Sequence, residues 1–250
     1  MAGPAKTSAG GLSSSARSGV VIDPRVLLAG CAVAIIGLVV LGFFLWMVPN
    51  AAKREQKAAC TGLRATGPAL CDGKPCPLPM QAPDFTAIDN NGKPVSLSQF
   101  RGKVVLLNFW ASWCGVCKTE KPKLAEMAED LAGDDFVVIS LASDRNWQDV
   151  LLATVGSLSP RTKLPEGDVT MDQTLGLYRQ ALPNGVPFKV FLDPPDGDGN
   201  IGAIAASWGI KAVPESALID RNGVIRAYFV NKRDWQSPVA ETCLRSVIDE

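Results

Sequence analysis

The chain has 250 residues, with 25 Lys+Arg against 25 Asp+Glu, and no histidine. Balanced charge gives no footprint for nucleic acid, and the length suits one good-sized domain with an appendage. Without histidine the commonest general base and metal ligand are missing, so any chemistry falls to Cys, Asp, Glu or Lys. Seven cysteines point to an oxidising compartment in which disulfides persist.

Residues 1–19 are rich in Ala, Gly and Ser and show no apolar period, so 1–25 read as a disordered cytoplasmic tail. Val26 to Val48 then runs without a single charge. At about 1.5 Å per residue a helix of that length crosses roughly 30 Å of hydrocarbon, and we expect a transmembrane anchor over 26–48. Trp46 stands near its outer end and Asp23, Pro24 and Arg25 close the inner one. A cleavable signal peptide has a shorter apolar core. The letters LAGC at 28–31 match a lipobox, but the apolar run begins only just before Cys31 and continues well past it. Cys31 therefore reads as a small lipid-facing or buried residue.

Charge does not orient the anchor. Lys6, Arg17 and Arg25 precede it while Lys53, Arg54, Lys57 and Arg64 follow it. The cysteines decide instead, and place the large domain on the extracytoplasmic, periplasmic side of the inner membrane.

Residues 49–80 read as a stem that gives reach. It is helical at first and then passes into CDGKPCPLPM, whose three prolines and glycine oppose regular structure. The globular domain is expected over 81–250. DFTAIDNNGKPVSLSQF alternates on either side of Asn90, Asn91 and Gly92, the pattern of two short strands and a turn. KVVLLNFW is an unbroken apolar run of strand length, as in a strand buried on both faces. From Cys117 to about Leu131, apolar residues at Leu124, Met127, Ala128 and Leu131 keep helical spacing, with Pro122 liable to kink the helix. FVVISLA at 136–142 is a second buried strand, and strand–helix–strand implies parallel strands joined by a right-handed crossover.

The middle, around 144–185, carries a short helix near Val150 to Val155, a polar loop at SPRTKLPEGD and a helix near Asp172 to Ala181. FKVFLD follows as a strand and GNIGAIAASWGI as a helix. SALIDRNGVIRAYFV is a hairpin turning at Asn222 and Gly223, and Pro238 to Ile248 is a final amphipathic helix.

The chemistry concentrates in NFWASWCGVCKTE, 108–120. A cysteine at a helix N-terminus has its thiolate stabilised by unpaired backbone N–H groups and the helix dipole. Cys114 stands at such a junction and is expected to be the exposed nucleophile that forms a mixed disulfide. Cys117, one turn into the helix, is expected to resolve it. Glu120 lies three residues further on the same face, where a carboxylate can exchange a proton with Cys117, although a glutamate in a first turn can also simply be solvated. Zinc wants four ligands, usually a second CxxC or a histidine pair, and the sequence has neither, so no metal and no cofactor is expected.

These residues resemble a known family. FWASWCGVCK is similar to the thioredoxin active-site segment, and GIKAVPESALIDRNGVI, 209–225, to the segment in which that fold sets a cis-proline opposite the dithiol; Pro214 is the matching position. With APDFTAIDNNGKPVSLSQFRGKVVLLNFW upstream, the resemblance is to the membrane-anchored TlpA/ResA/CcmG-like thioredoxins. It covers about 81–143 and 186–232, with 144–185 looking like an insertion. It implies an α/β thioredoxin fold, a central mixed sheet flanked by helices, with Cys114 and Cys117 as a redox-active disulfide. It also implies a catalytic role for Glu120, and substrate contacts at Trp113, Val213, Pro214 and Glu215. Ordinary thioredoxins carry a buried aspartate where this chain has Asn108, which leaves Glu120 to do the acid/base work alone. The activity implied is thiol:disulfide oxidoreduction. Electrons would come from a membrane donor of the thiol-transfer type and pass to protein disulfides of apocytochrome c or of copper-site assembly proteins and chaperones.

The remaining extracytoplasmic cysteines, Cys60, Cys71, Cys76 and Cys243, can pair in three ways. We expect Cys71 with Cys76 in a small loop, and Cys60 with Cys243 tying the stem to the last helix. Two other functions compete. A thiol peroxidase of redoxin type wants Thr or Ser three residues before the reactive cysteine, where this chain has Ala111. A copper- or haem-binding module would want histidine or a methionine cluster.

Overall fold

The computed structural model describes residues 23–63, 65–133 and 135–250, and for 49–57 the backbone only. Residues 1–22 of the tail expected over 1–25, and Arg64, lie outside the described residues, and Pro24 and Arg25 already belong to the first helix. The chain divides into two units, 1–50 and 51–250.

In the first unit, residues 24–48 are helical, have a mean hydropathy of 2.8 and are all exposed, a stretch long and apolar enough to cross a membrane. Cys31 is exposed on it and makes no disulfide. The helix, α1, is continuous over Pro24–Gly62.

The second unit is built on eight strands: β1 (Met80–Gln81), β2 (Thr86–Ile88), β3 (Pro94–Ser96), β4 (Val104–Trp110), β5 (Phe136–Ala142), β6 (Lys189–Leu192), β7 (Glu215–Ile219) and β8 (Val224–Val230). Their spatial order is β1-β8-β7-β4-β5-β6-β2-β3. β4, β5 and β6 run parallel, while β7 pairs antiparallel with β4 and β8 antiparallel with β7. Five helices follow α1: α2 (Gly115–Asp130), α3 (Trp147–Leu158), α4 (Met171–Ala181), α5 (Ala203–Ser207) and α6 (Pro238–Ile248).

Every residue of β4 is buried, because the two faces of the sheet are both covered. Alternation sends Val104 and Leu106 towards a core shared with Leu124 of α2 and Leu244 of α6, and Val105, Leu107 and Phe109 towards a second core around Trp208 and Tyr228. Burying side chains of this size contributes about 1.5–3 kcal/mol each relative to leaving them in water. α6 presents Ala240, Cys243, Leu244, Val247 and Ile248 at helical spacing to the first core, and Ser237 caps it by accepting from Ala240 N.

Three expectations need correcting. Residues 58–80 do not act as a spacer. Ala59, Cys60, Leu63 and Ala65 pack against the first core, Thr66 N donates to Tyr228 O at 2.7 Å, and Met80 and Gln81 pair with β8. The reason is the run of apolar residues around Cys60, which finds buried partners on the α6 side of the sheet. The helix expected across GNIGAIAASWGI shrinks to Ala203–Ser207. The Asp193 carboxylate accepts Ile204 N and Ala205 N at its start, and Gly209, at φ +74°, turns the chain away at its end. The short helix read near 150–155 extends over the whole of α3, because Asn146 caps it at Asp149 N. Residues 144–185 thus hold two helices, with α3 packed against both α2 and α4.

Candidate functional site

β4 ends at Trp110, the chain turns through Ala111, Ser112 and Trp113, and Cys114 becomes the N-cap of α2. Its Sγ accepts from Cys117 N at 3.1 Å, which places one of the helix's unpaired N–H groups on the sulfur. Cys114 and Cys117 are joined by a disulfide with their Cα atoms 5.3 Å apart. The exposure expected of Cys114 is small: 7% for Cys114 against 2% for Cys117. The cover includes the Val213 carbonyl oxygen, 3.6 Å from Cys114 Sγ. Of the two cysteines, Cys114 is the more exposed.

The turn before Cys114 is held from below. Asp144, just past β5, accepts Ser112 N at 2.9 Å and Ser112 Oγ at 2.5 Å, and Ser143 N donates to Trp110 O at 2.8 Å. Burial raises the Asp144 carboxyl above its usual range, while the Ser112 bonds oppose the rise. Trp113 is half-exposed beside the dithiol and anchors its ring by donating Nε1 to Ser143 O at 3.2 Å.

Across the dithiol the Val213–Pro214 peptide is cis. The Pro214 carbonyl is engaged by Asn231 N at 2.9 Å, so Val213 is the residue of the pair whose carbonyl faces the sulfurs. Glu215 begins β7 and accepts the Tyr228 hydroxyl at 2.5 Å. Burial raises Glu215, against the Tyr228 bond, and Tyr228 is held protonated by burial and by the carboxylate beside it.

Glu120 is 3% exposed, which removes the solvated-glutamate alternative. Its Oε1 accepts Arg233 N at 2.8 Å and Trp235 Nε1 at 2.8 Å, both from the segment between β8 and α6. Burial is the largest influence and raises the carboxyl; those two bonds and the charges of Lys121 and Arg233 pull the other way. Asn108 is also buried, and donates Nδ2 to Ser216 Oγ at 3.1 Å. The structure thus brings Cys114, Cys117, Trp113, Val213 and Pro214 to one end of the sheet, with Glu120 one turn below and Glu215 at the head of the adjoining strand.

Cys60 is joined to Cys243, and Cys71 to Cys76, with Cα separations of 4.7 and 5.1 Å. Both bridges stand apart from the dithiol in the chain, one on α6 and one in the loop that leads to β1.

Four contributors escaped the sequence reading: Asp144, Arg233, Trp235 and Lys121. Lys121 is 1% exposed, with Nζ donating to Ser140 Oγ at 2.7 Å. Its signal was present, because it sits between Cys117 and Leu124 on the spacing of the buried face of α2. Three lysines in CKTEKPK made it look solvated.

A strand-to-helix CxxC facing a cis-proline, on a mixed sheet covered on both faces, defines a protein of the thioredoxin fold. The Redoxin family profile matches residues 79–244, and the chain belongs to that family. Thiol-disulfide oxidoreductase ResA of Bacillus thuringiensis subsp. konkukian is 27% identical over 145 residues, 58% of this chain. The match spans 65% of the length of that relative. The thioredoxin-like protein YneN of Bacillus subtilis is 41% identical over 61 residues, 24% of this chain and 35% of its own. Among solved structures, a Chlorobium tepidum protein described as thiol:disulfide interchange protein DsbE is 27% identical, with a TM-score of 0.49 over 68% of this chain and 96% of its own. The resemblance to TlpA/ResA/CcmG-like thioredoxins stands.

Proposed function

We propose that this chain is a thiol:disulfide oxidoreductase acting on protein disulfides. The observation that carries the reading is Cys114 at the N-cap of α2, its sulfur against Cys117 N and 3.6 Å from the Val213 carbonyl ahead of cis-Pro214. In the reduced enzyme the Cys114 thiolate attacks a substrate disulfide, forming the mixed disulfide and expelling one substrate thiolate, which takes up a proton. Cys117 loses its proton and attacks Cys114 Sγ, so that the Cys114–Cys117 bond forms and the second substrate thiol leaves. The two electrons have passed from the enzyme to the substrate. Glu120 is the nearby group suited to take and return the Cys117 proton, since a carboxyl raised by burial is closer to a thiol in proton affinity. Trp113 supplies an exposed apolar platform, and Val213 to Glu215 the edge along which an extended peptide lies.

The finer assignment follows the family resemblance. The apolar helix at 24–48 serves as a single-pass anchor, residues 51–250 face the extracytoplasmic side, and the two further disulfides suit an oxidising compartment. In that setting the enzyme works as a reductant, fed by a membrane thiol-transfer donor and directed at apocytochrome c or copper-site assembly proteins. The test is capture in cells: Cys117→Ser in the full chain is expected to accumulate disulfide-linked adducts through Cys114, whose partners identify the substrate. A Cys117→Ser protein that forms no adduct with any protein disulfide overturns the reading.

A further inference from the structure

Disulfide exchange as proposed above makes no use of Lys121, yet this lysine is nearly sealed from solvent behind the dithiol. It lies one helical turn beyond Cys117 on α2, so the two side chains leave the same face. Nζ donates to Ser140 Oγ of β5 at 2.7 Å and stands 3.6 Å from the centre of the Trp110 ring and 4.8 Å from that of Phe188. Trp110, in turn, packs in one apolar cluster with Cys114 and Cys117. The amine thus stands against a residue of the same apolar cluster that holds both cysteines.

An ammonium has three protons to place, and the surroundings here supply a hydroxyl and two π faces. Burial drives the lysine towards its neutral form, and the charges of Glu120 and Asp144 oppose this. Both carboxylates are already engaged, Glu120 by Arg233 N and Trp235, and Asp144 by Ser112. Asp149 at the start of α3 and Lys118 on α2 bear on Asp144. β4 presents Trp110, and beside Phe188 the charge of Lys189 is exposed. A negative charge arriving on the sulfurs would be the one new anion in this enclosure.

We propose that Lys121 is a positioning residue for the redox step, taking up a proton as the Cys114–Cys117 disulfide is reduced and holding it behind Trp110 while a cysteine thiolate is present. The proposal rests on the redox reading of that pair. Reduction by a dithiol brings two electrons and two protons: the Cys114–Cys117 bond breaks and the reductant closes its own disulfide. One proton goes to Cys117 Sγ, Cys114 remains a thiolate, and the second proton resides on Lys121 Nζ instead of in solvent. The thiolate and ammonium then attract across a poorly screened interior. Reoxidation returns the proton.

The experiment compares the full chain in detergent with its Lys121→Met variant, each equilibrated with dithiothreitol and its disulfide at a series of pH values. Methionine keeps the length and the contact with Trp110 and Phe188 while removing the amine. In the variant one of the two protons is released, so its equilibrium constant for reduction is expected to rise with pH by up to tenfold per unit, whereas that of the parent stays level across the range in which Lys121 titrates. Parallel curves overturn the proposal and leave the redox reading intact. If dithiothreitol leaves the Cys114–Cys117 bond closed in both proteins, the reading and the proposal fall together. Should the variant misfold, nitrogen NMR of the parent decides: Lys121 is expected to titrate at a higher pH in the reduced form than in the oxidised, and equal midpoints overturn the assignment.

Discussion

Trp235 Nε1 donates a 2.8 Å hydrogen bond to Glu120 Oε1, across 115 residues of sequence, with both side chains buried. Together with Arg233 N this bond fixes the carboxyl one turn below Cys117 and holds its raised proton affinity in check. Trp235→Phe keeps the edge-on packing against Phe229, whose ring centre lies 5.5 Å away, but removes the donor. The loss should cost about 1–3 kcal/mol of stability, because a buried carboxyl oxygen loses one of its partners. Denaturant unfolding checks the cost, and a disulfide-reduction rate profile that moves to higher pH checks the link to Glu120.

Glu120→Gln tests the carboxyl itself. A carboxyl whose folded pKa is raised contributes stability that is present below the ordinary carboxyl pKa and is lost as pH rises through the folded value. The glutamine variant should therefore lose less stability than the parent between acid and neutral pH. If Glu120 carries the Cys117 proton, the variant should also resolve mixed disulfides roughly a hundred- to ten-thousandfold more slowly, the usual range for a general base. Unchanged resolution by stopped-flow would remove Glu120 from the mechanism.

The Cys60–Cys243 bridge closes a loop with a sequence separation of 183 and ties residue 60 to α6 within the second unit, while Cys71–Cys76 spans a separation of 5. In the chain-entropy account a long loop stabilises more than a short one. Cys60→Ala with Cys243→Ala should cost about 2–5 kcal/mol, and Cys71→Ala with Cys76→Ala less. Urea titrations of the two double variants, each with Cys114–Cys117 oxidised, give the comparison. An equal loss would show that the short loop contributes by its packing.

Gly209 lies where the chain turns towards Pro214, at φ +74°, with the Ala69 carbonyl oxygen only 2.6 Å from where a Cβ would sit. Gly209→Ala should be destabilising by roughly 1–3 kcal/mol from the backbone conformation alone, and by more because the 69–80 segment must move. Faster proteolysis within 65–80 is the expected sign, with the Cys114–Cys117 disulfide still forming.

Local patterns made much of this legible. β4 announced itself by an unbroken apolar run, α6 by its apolar stripe behind Ser237, and the dithiol by two cysteines at a strand-to-helix junction. What stayed hidden depends on partners far away in the chain. Nothing near Glu120 says that Arg233 and Trp235 close over it, and nothing near Ser112 names Asp144 as its anchor. The Cys60–Cys243 bond was expected, but the packing of Ala59 and Leu63 beside it was not, because a proline-rich segment follows them and composition there suggested a tether. Lys121 could have been placed on the buried face by spacing alone, but a lysine among lysines is ordinarily read as surface.

The bond between Cys60 and Cys243 also sets an order of events during biosynthesis. Cys60 leaves the ribosome 183 residues ahead of its mate, Cys243. Between them Cys71, Cys76, Cys114 and Cys117 are made first, and six thiols allow fifteen full pairings. The nascent chain must therefore keep one thiol waiting past four wrong choices. Closure of that bond would show that Cys243 has been made and folded into place, and a chain truncated before residue 243 would display an unsatisfied Cys60.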